Sequence, residues 1–229
     1  MAKVFIGVGH GGPDPGAVAG TFRESDANLY ISYGLGEELS KYGVEWKASR
    51  NTDEEDRLAE EIAECNAYKP DLAIEIHNNA GGGVGFEVYY QTNGYRSQSI
   101  KLAQCVEKRV KESGQKSRGL KTKITLGNTD YFGWLRECKC PAILTEGFFV
   151  DNAEDRSNYD TEEELRALGR VYAHGILDYF GVSWEAQEPV LYRVQVGAFA
   201  DRNNAEKYKE QITDMGYPAY IVEVKDFAD

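Results

Sequence analysis

The 229-residue chain contains 41% hydrophobic and 28% charged residues, which is an ordinary composition for a globular protein. Its formal net charge of −12 at pH 7 argues against nucleic-acid binding, because phosphates require a basic surface. No apolar run approaches the roughly 18 residues of a membrane span. The first residues lead directly into a strand-like run without a signal-peptide layout. We therefore expect a protein that is made in the cytoplasm and neither binds nucleic acid nor inserts into membranes.

Strand-like and helix-like segments alternate along residues 1–182. The predicted strands are Val4–Val8, Val44–Ala48, Leu72–Ile76, Gly85–Tyr90 and Ala142–Phe148. The predicted helices are Ser25–Tyr42, Asp53–Tyr68, Ser97–Lys111 and Glu162–Phe180. This alternation predicts an α/β domain, with a mostly parallel twisted sheet that is flanked by helices on both faces.

A second, smaller unit follows a predicted linker at residues 183–190. Residues 191–229 read as a strand at 191–196, a helix at 203–215 and a strand at 219–224, which is a small βαβ module. Units below about 40 residues seldom fold without a metal, a disulfide or a partner. The four cysteines show no zinc-ribbon spacing, and we interpret them as reduced thiols.

Two of the three histidines directly follow predicted strands and have glycines nearby. His10 and His77 would thus lie at the carboxyl ends of strands, where open α/β sheets bind their ligands. Either histidine alone is best explained by a local hydrogen bond, but the pair favours a metal site. A catalytic zinc site needs a third protein ligand, and Glu24, which precedes the predicted Ser25 helix and is close to the His10 loop, is the natural candidate. By itself, Glu24 would be an acid that stabilises a helix N-terminus.

One more carboxylate lies in an apolar strand. Glu146 is flanked by Ala142–Thr145 and Gly147–Phe149, where an unpaired charge is costly to bury. It is either a paired structural acid or a general acid/base with a raised pKa. The Gly9–Gly12 loop lacks the Gly-Lys-Ser/Thr ending of a phosphate loop, which argues against nucleotide binding. We interpret His174 as a solvated residue on the surface of the last helix, and Cys138 with Cys140 as a turn.

The ordered set of motifs resembles the zinc-dependent N-acetylmuramoyl-L-alanine amidases, the type 3 family of bacterial and phage cell-wall hydrolases. The similarity covers almost all of residues 2–182. It includes Gly9–Ala17, Glu24, Arg50 with Asp53 and Arg57, Asn66, His77, Asn79-Ala80, Gly85–Tyr89, Arg118–Lys121, Pro141–Phe148 and Asn152. The chain departs from the family at Glu75, where the family usually has serine. That acid either lies near the metal or points to the other side of the sheet.

The resemblance implies a function and a set of site residues. His10, Glu24 and His77 would bind Zn²⁺, and Glu146 would transfer protons during hydrolysis of the amide between N-acetylmuramic acid and L-alanine. Asn79, next to a ligand, would orient the substrate or a neighbouring group. Three alternatives stay open: a zinc peptidase acting on the stem peptide, a non-catalytic wall-binding protein, and a nucleotide-binding regulator.

The tail resembles half of a SPOR peptidoglycan-binding module, in Tyr192–Phe199 and Ala205–Tyr217. A lone βαβ unit leaves an open sheet edge that tends to pair with another chain. We therefore expect either a homodimer that forms through two tails or a tail that packs on the first domain. An amidase of this kind would act on the cell wall after release through a holin or through lysis.

Overall fold

The apolar runs form a six-stranded mixed sheet in the computed structural model, which describes residues 2–184 and 196–222. The chain divides into two compact units, Met1–Trp184 and Glu185–Asp229. No helix among the described residues has the length and apolar character that crossing a membrane requires.

The sheet of the first unit has four parallel strands at its centre and at one edge. Its strands are β1 (Lys3–Val8), β4 (Glu45–Ala48), β5 (Leu72–Asn79), β6 (Phe86–Tyr90), β7 (Ser117–Lys121) and β8 (Ala142–Phe149). Their order is β4-β1-β5-β8-β6-β7. The first four in this order run parallel, β6 is antiparallel to β8, and β7 is parallel to β6. The short strands β2 (Val18–Ala19) and β3 (Phe22–Arg23) form a separate hairpin.

Helices cover both faces of the sheet. They are α1 (Glu24–Lys41), α2 (Leu58–Tyr68), α3 (Arg96–Glu112), α4 (Gly133–Glu137), α5 (Ala153–Arg156) and α6 (Glu162–Phe180). Helix α6 begins at a capping box formed by Thr161 and Glu164 and ends at Gly181, which has the left-handed conformation typical of a helix C-terminus. The predicted α/β architecture, with a mostly parallel sheet between helices, is confirmed.

Two apolar cores lie on opposite faces of the sheet because strand side chains alternate in direction. Ile74 and Ile76 of β5 belong to the larger core, which α1, α3 and α6 cover. Ala73 belongs to the smaller core under α2 and α4, together with Phe5 and Leu144. Glu75 and His77 continue the second alternation and therefore lie on the face of the smaller core.

The short elements β2, β3, α4 and α5 were not predicted from the sequence, and three longer elements differ from the prediction. The predicted helix at Asp53–Tyr68 begins only at Leu58, because Asp53 accepts a hydrogen bond from the Gly12 backbone and Arg57 is extended. Strand β7 was not predicted because its sequence, Ser-Arg-Gly-Leu-Lys, has one strongly apolar residue. Strand β6 runs antiparallel to β8, which the alternating pattern did not indicate.

The described part of the second unit contains helix α7 (Arg202–Asp214). Asp201 caps its N-terminus by accepting a hydrogen bond from the Asn203 backbone. This helix agrees with the predicted helix at 203–215. The predicted strand at 191–196 lies outside the described residues except for Val196, and residues 219–222 of the other predicted strand are not in a strand. The predicted pairing of two tails stays a prediction.

Candidate metal centre

Three segments that are distant in sequence bring His10, Glu24 and His77 together. His10 follows β1, Glu24 is the first residue of α1, and His77 lies near the carboxyl end of β5. The loop after β1 turns sharply at His10, whose φ of 64° is in the left-handed region that non-glycine residues rarely adopt. Such conformations persist where the surrounding structure enforces them, and they concentrate at functional sites.

The donor atoms of these three side chains converge on one point. Glu24 Oε1 lies 3.3 Å from His10 Nε2 and 3.1 Å from His77 Nδ1. The two imidazole rings are nearly perpendicular, with centroids 4.8 Å apart. One donor atom from each residue lies within 4.8 Å of the other two, and no other such group of His, Cys, Asp or Glu occurs among the described residues. The structure therefore contains a possible metal site with two histidines and one glutamate.

Backbone amides hold the Glu24 carboxylate in place. Oε2 accepts a hydrogen bond from Ala17 N at 2.8 Å, and Oε1 accepts one from Asn78 N at 3.0 Å. Although burial opposes ionisation, the hydrogen bonds and charges of His10 and His77 lower the pKa of Glu24 well below its ordinary value. The carboxylate is thus ionised at neutral pH, which metal ligation requires.

The same carboxylate raises the pKa values of the two imidazoles. Burial disfavours their charged forms, but the hydrogen bond and charge of Glu24 raise the pKa of His10 above its ordinary value. Burial is likewise outweighed at His77, where Glu24 and Glu75 raise the pKa well above the ordinary value. The site therefore attracts positive charge, which protons supply in the protein alone and which a divalent cation could replace.

Each imidazole has a second carboxylate on the nitrogen that faces away from the cluster. His10 Nδ1 lies 2.8 Å from Asp14 Oδ2, and His77 Nε2 lies 3.3 Å from Glu75 Oε1. The sequence left open whether Glu75 lies near the metal or on the other side of the sheet. Its side chain lies on the same face of β5 as His77, which is the position near the metal site. Sequence reasoning assigned no role to Asp14, although its spacing of four residues from His10 was a usable signal.

Glu146 lies on the strand next to His77. Parallel pairing of β5 with β8 places the two residues opposite each other, and antiparallel pairing of β6 with β8 places Glu87 on the other side of Glu146. Burial is the largest contribution that raises the pKa of Glu146 to about 7; Glu24 and Glu87 add to this effect, whereas His77 opposes it. A carboxyl group with such a pKa can both accept and donate a proton near neutral pH.

Buried polar groups hold the His10 loop against α1. Arg50, which is 2% exposed, donates hydrogen bonds to Val8 O, Ser25 O and Thr52 O. Asn28 donates to Gly9 O and accepts from the Asn78 side chain at 2.8 Å. Sequence reasoning did not identify Asn28. Its place on the buried face of helix α1, where a polar side chain needs a hydrogen-bond partner, could have indicated its role.

The other singled-out residues are not members of this group of three donors. Asn79 ends β5, and its side-chain oxygen accepts a hydrogen bond from Ala80 N, so its role in substrate binding stays a prediction. The four cysteines are free. His174 is not a solvated surface residue, since its Nε2 lies 3.0 Å from Glu38 Oε1 and its ring stacks on Trp184. Helix α6 packs beside α1, which contains Glu38, and this places His174 against α1. The spacing of hydrophobic residues in the sequence did not indicate this contact.

An α/β domain with a mostly parallel sheet, in which two histidines and one glutamate converge, has the donor set of a catalytic zinc hydrolase. Comparison with known proteins identifies the family. The N-acetylmuramoyl-L-alanine amidase family model matches residues 4–178, and the SPOR domain model matches residues 188–227. The chain belongs to the N-acetylmuramoyl-L-alanine amidase family, and its C-terminal part matches a SPOR domain.

Similar proteins carry amidase names. N-acetylmuramoyl-L-alanine amidase CwlM of Bacillus licheniformis is 32% identical over 224 residues, covering 97% of this chain and 85% of the relative. The sporulation-specific N-acetylmuramoyl-L-alanine amidase of Bacillus subtilis is 31% identical, covering 99% and 86%. The crystal structure of an N-acetylmuramoyl-L-alanine amidase from Clostridium difficile 630 superposes with a TM-score of 0.70 at 27% identity, covering 79% of this chain and 97% of that one.

Proposed function

We propose that this chain hydrolyses the amide bond between the lactyl group of N-acetylmuramic acid and L-alanine in peptidoglycan, with Zn²⁺ as its cofactor. Family membership and two relatives of similar length named as amidases support this activity. The observation that carries the proposal is the convergence of His10, Glu24 and His77 beside Glu146. Separate residues are thus available to bind a cation and to transfer a proton.

The donor set of the cluster fits zinc. Two imidazole nitrogens and one ionised carboxylate are ligands of the borderline-soft cation Zn²⁺, and three protein ligands leave one position for water or substrate. His10, Glu24 and His77 would hold the ion. When bound, zinc polarises the amide carbonyl and lowers the pKa of a water molecule.

Glu146 supplies the proton transfers of the reaction. Its carboxylate accepts a proton from the attacking water while the water oxygen bonds to the carbonyl carbon. The same group then gives that proton to the leaving amide nitrogen as the carbon–nitrogen bond breaks, which produces the lactyl carboxylic acid and the free amine of L-alanine, and the acid afterwards releases its remaining proton to solvent. In the metal-free protein burial raises the pKa of Glu146 to about 7, so this carboxyl holds a proton more readily than an ordinary one and is suited to carry it between water and the leaving nitrogen.

The C-terminal SPOR segment would bind the polymer that the first unit cleaves. A net charge of −12 gives the whole chain no general attraction to an anionic wall. A dedicated binding segment would therefore raise the concentration of the catalytic unit on its substrate. Pelleting of the chelator-treated protein with purified peptidoglycan would support this role.

Muropeptide mapping with and without zinc tests the proposed activity. The full chain is treated with a chelator, divided, and reloaded with zinc in one half, and both halves are incubated with peptidoglycan. We expect cleavage only in the zinc-loaded sample, with free lactyl ends and intact stem peptides that begin at L-alanine. Shortened stem peptides would instead indicate a peptidase, and zinc-independent pelleting without products would indicate a wall-binding protein.

Glu146→Gln is the matched variant for the proton-transfer step. It keeps the size of the side chain but cannot accept the proton, so we expect kcat to fall by roughly 10²- to 10⁴-fold. Zinc affinity should stay within a few-fold of the unaltered chain, measured by competition with a chromophoric chelator. Retained activity in this variant would show that another group moves the proton.

A further inference from the structure

The carboxylate of Glu75 is buried against the rear of a proposed metal ligand. Glu75 precedes His77 by two residues on β5, so both side chains lie on the same face of the sheet. Glu75 Oε1 lies 3.3 Å from His77 Nε2, while His77 Nδ1 lies 3.1 Å from Glu24 Oε1. Each nitrogen of the His77 ring therefore faces a different carboxylate, Nδ1 that of Glu24 and Nε2 that of Glu75.

Because Glu75 is buried, water has little access to its carboxylate, and few groups are available as hydrogen-bond partners. The residue is 2% exposed, and its Oε2 atom has no hydrogen-bond partner among the described residues. By contrast, Asp14, on the corresponding nitrogen of His10, has a side chain that is 65% exposed. Water can therefore replace Asp14 at His10, whereas the buried Glu75 is the acceptor for His77.

The space around Glu75 also restricts its side chain. A Cβ atom on Gly7 of β1 would collide with Glu75 Oε2 and Glu61 Oε1, so the absence of a side chain at position 7 leaves room for the two acids. Glu61 Oε1 in turn accepts a hydrogen bond from Val8 N at 3.2 Å. The neighbouring strand and helix α2 therefore limit the movement of the Glu75 carboxylate away from His77.

We propose that Glu75 is a positioning residue for His77. Its carboxylate accepts the Nε2–H hydrogen bond, which selects the tautomer and the ring orientation in which the Nδ1 lone pair points toward Glu24 and His10. Carboxylates in this outer position orient histidine ligands and strengthen them as electron donors. This inference rests on the proposed function, because it assumes that His77 binds zinc.

The test measures metal binding, so it does not depend on activity. Glu75→Leu fills a similar volume but offers no acceptor to His77 Nε2, and Glu75→Gln retains a neutral acceptor. Loss of such an outer carboxylate typically weakens metal affinity by about 10- to 100-fold, which we expect for Glu75→Leu. For Glu75→Gln we expect a smaller loss, about 3- to 10-fold, since a neutral acceptor binds the imidazole N–H less strongly. Zinc dissociation constants come from chelator competition, and the visible spectrum of the cobalt-substituted protein reports the ligand geometry.

Glu61→Gln is the control for a purely structural effect. It alters the acid that faces Glu75 Oε2 but leaves Glu75 Oε1, the atom next to His77 Nε2, available as the acceptor, so zinc affinity and the cobalt spectrum should stay within a few-fold of those of the unaltered chain. Wild-type zinc affinity in both Glu75 variants, or an equal loss in Glu61→Gln, would overturn the positioning role. If Glu75→Leu does not fold, wild-type affinity of Glu75→Gln is sufficient to overturn it. Failure of the unaltered chain to bind zinc would instead refute the proposed function.

Discussion

The two faces of the central sheet share the same strands, but one face packs against the larger apolar core and the other holds the candidate site. On β5, Ile74 and Ile76 are fully buried in the larger apolar core. Between and beyond them, Glu75 and His77 lie on the other face, next to Glu146 of β8. Side-chain alternation with a period of two therefore separates the packed core from the candidate site within a single strand.

The two faces contribute differently to the stability of the domain. The face toward α1, α3 and α6 contains buried hydrophobic residues that each contribute by removal from water. The other face buries several carboxyl groups, among them Glu61, Glu75 and Glu87, and burying such groups is costly. The larger apolar core must therefore supply much of the stability that offsets the cost of the site, and substitutions on the two faces should have different consequences.

The largest effect on stability is expected from Ile74→Ala. The side chain is fully buried in the middle of the sheet, and truncation of such residues costs about 2–5 kcal/mol through lost burial and the cavity left behind. Because Ile74 faces away from the cluster, zinc affinity of the folded variant should be unchanged. Denaturant unfolding and chelator competition measure the two quantities.

Leu144→Ala is the matched comparison on the other face. Leu144 is 3% exposed and lies on β8 two residues before Glu146, in the smaller core. We expect a destabilisation of similar size, but also altered activity because the same face holds Glu146. Loss of zinc affinity in folded Ile74→Ala would contradict the separation of the two faces.

A pH-dependent effect of intermediate size is expected from Glu146→Gln in the metal-free protein. Burial raises the folded-state pKa of Glu146 to about 7, above its ordinary value of 4.5. Its contribution to stability is therefore present at low pH and is lost as the pH rises through 7. The loss amounts to at most roughly 3 kcal/mol, and the variant should not show it.

Chemical unfolding at pH 5 and at pH 8, with chelator present, tests this prediction. Glu24 stays ionised over this range because its pKa is lowered, so its own contribution, which is lost only at more acidic pH, does not interfere. Glu60→Gln, whose side chain is 73% exposed, serves as the control and should behave as the unaltered chain. Equal pH dependence in Glu146→Gln and the unaltered chain would show that Glu146 titrates normally.

The sequence predicted the framework of the first unit and the members of the cluster. Apolar runs and helical spacing indicated β1, β5, β8 and α6 because burial dictates these residue types. His10 and His77 could be singled out because strand ends meet at one edge of a parallel sheet. The ligand role of these residues and the roles of Glu146 and Asn79 stay predictions.

Other features depended on contacts between distant segments. The start of α2 at Leu58 follows from the hydrogen bond between Asp53 and Gly12, which no local pattern shows. The side of the sheet on which Glu75 lies required the strand register, and the stacking of His174 on Trp184 required the position of a segment after α6. These three features depend on contacts between distant segments, which the periodicity of hydrophobic residues does not predict.

The smallest effect is expected from Glu61→Gln, which tests the cost of the acidic face. Burial, and secondarily the charge of Glu75, raise the pKa of Glu61 well above its ordinary value, so its contribution to stability falls as the pH rises. Glutamine keeps an acceptor for Val8 N and adds a donor that can reach Glu75 Oε2, which has no partner among the described residues. At pH 8 we expect an increase of about 0.5–1.5 kcal/mol in the free energy of unfolding, and a smaller one at pH 5. A clear decrease at pH 8 would mean that the two acids stabilise each other, and the contrast between the two faces would then be smaller than the burial of these carboxyl groups indicates.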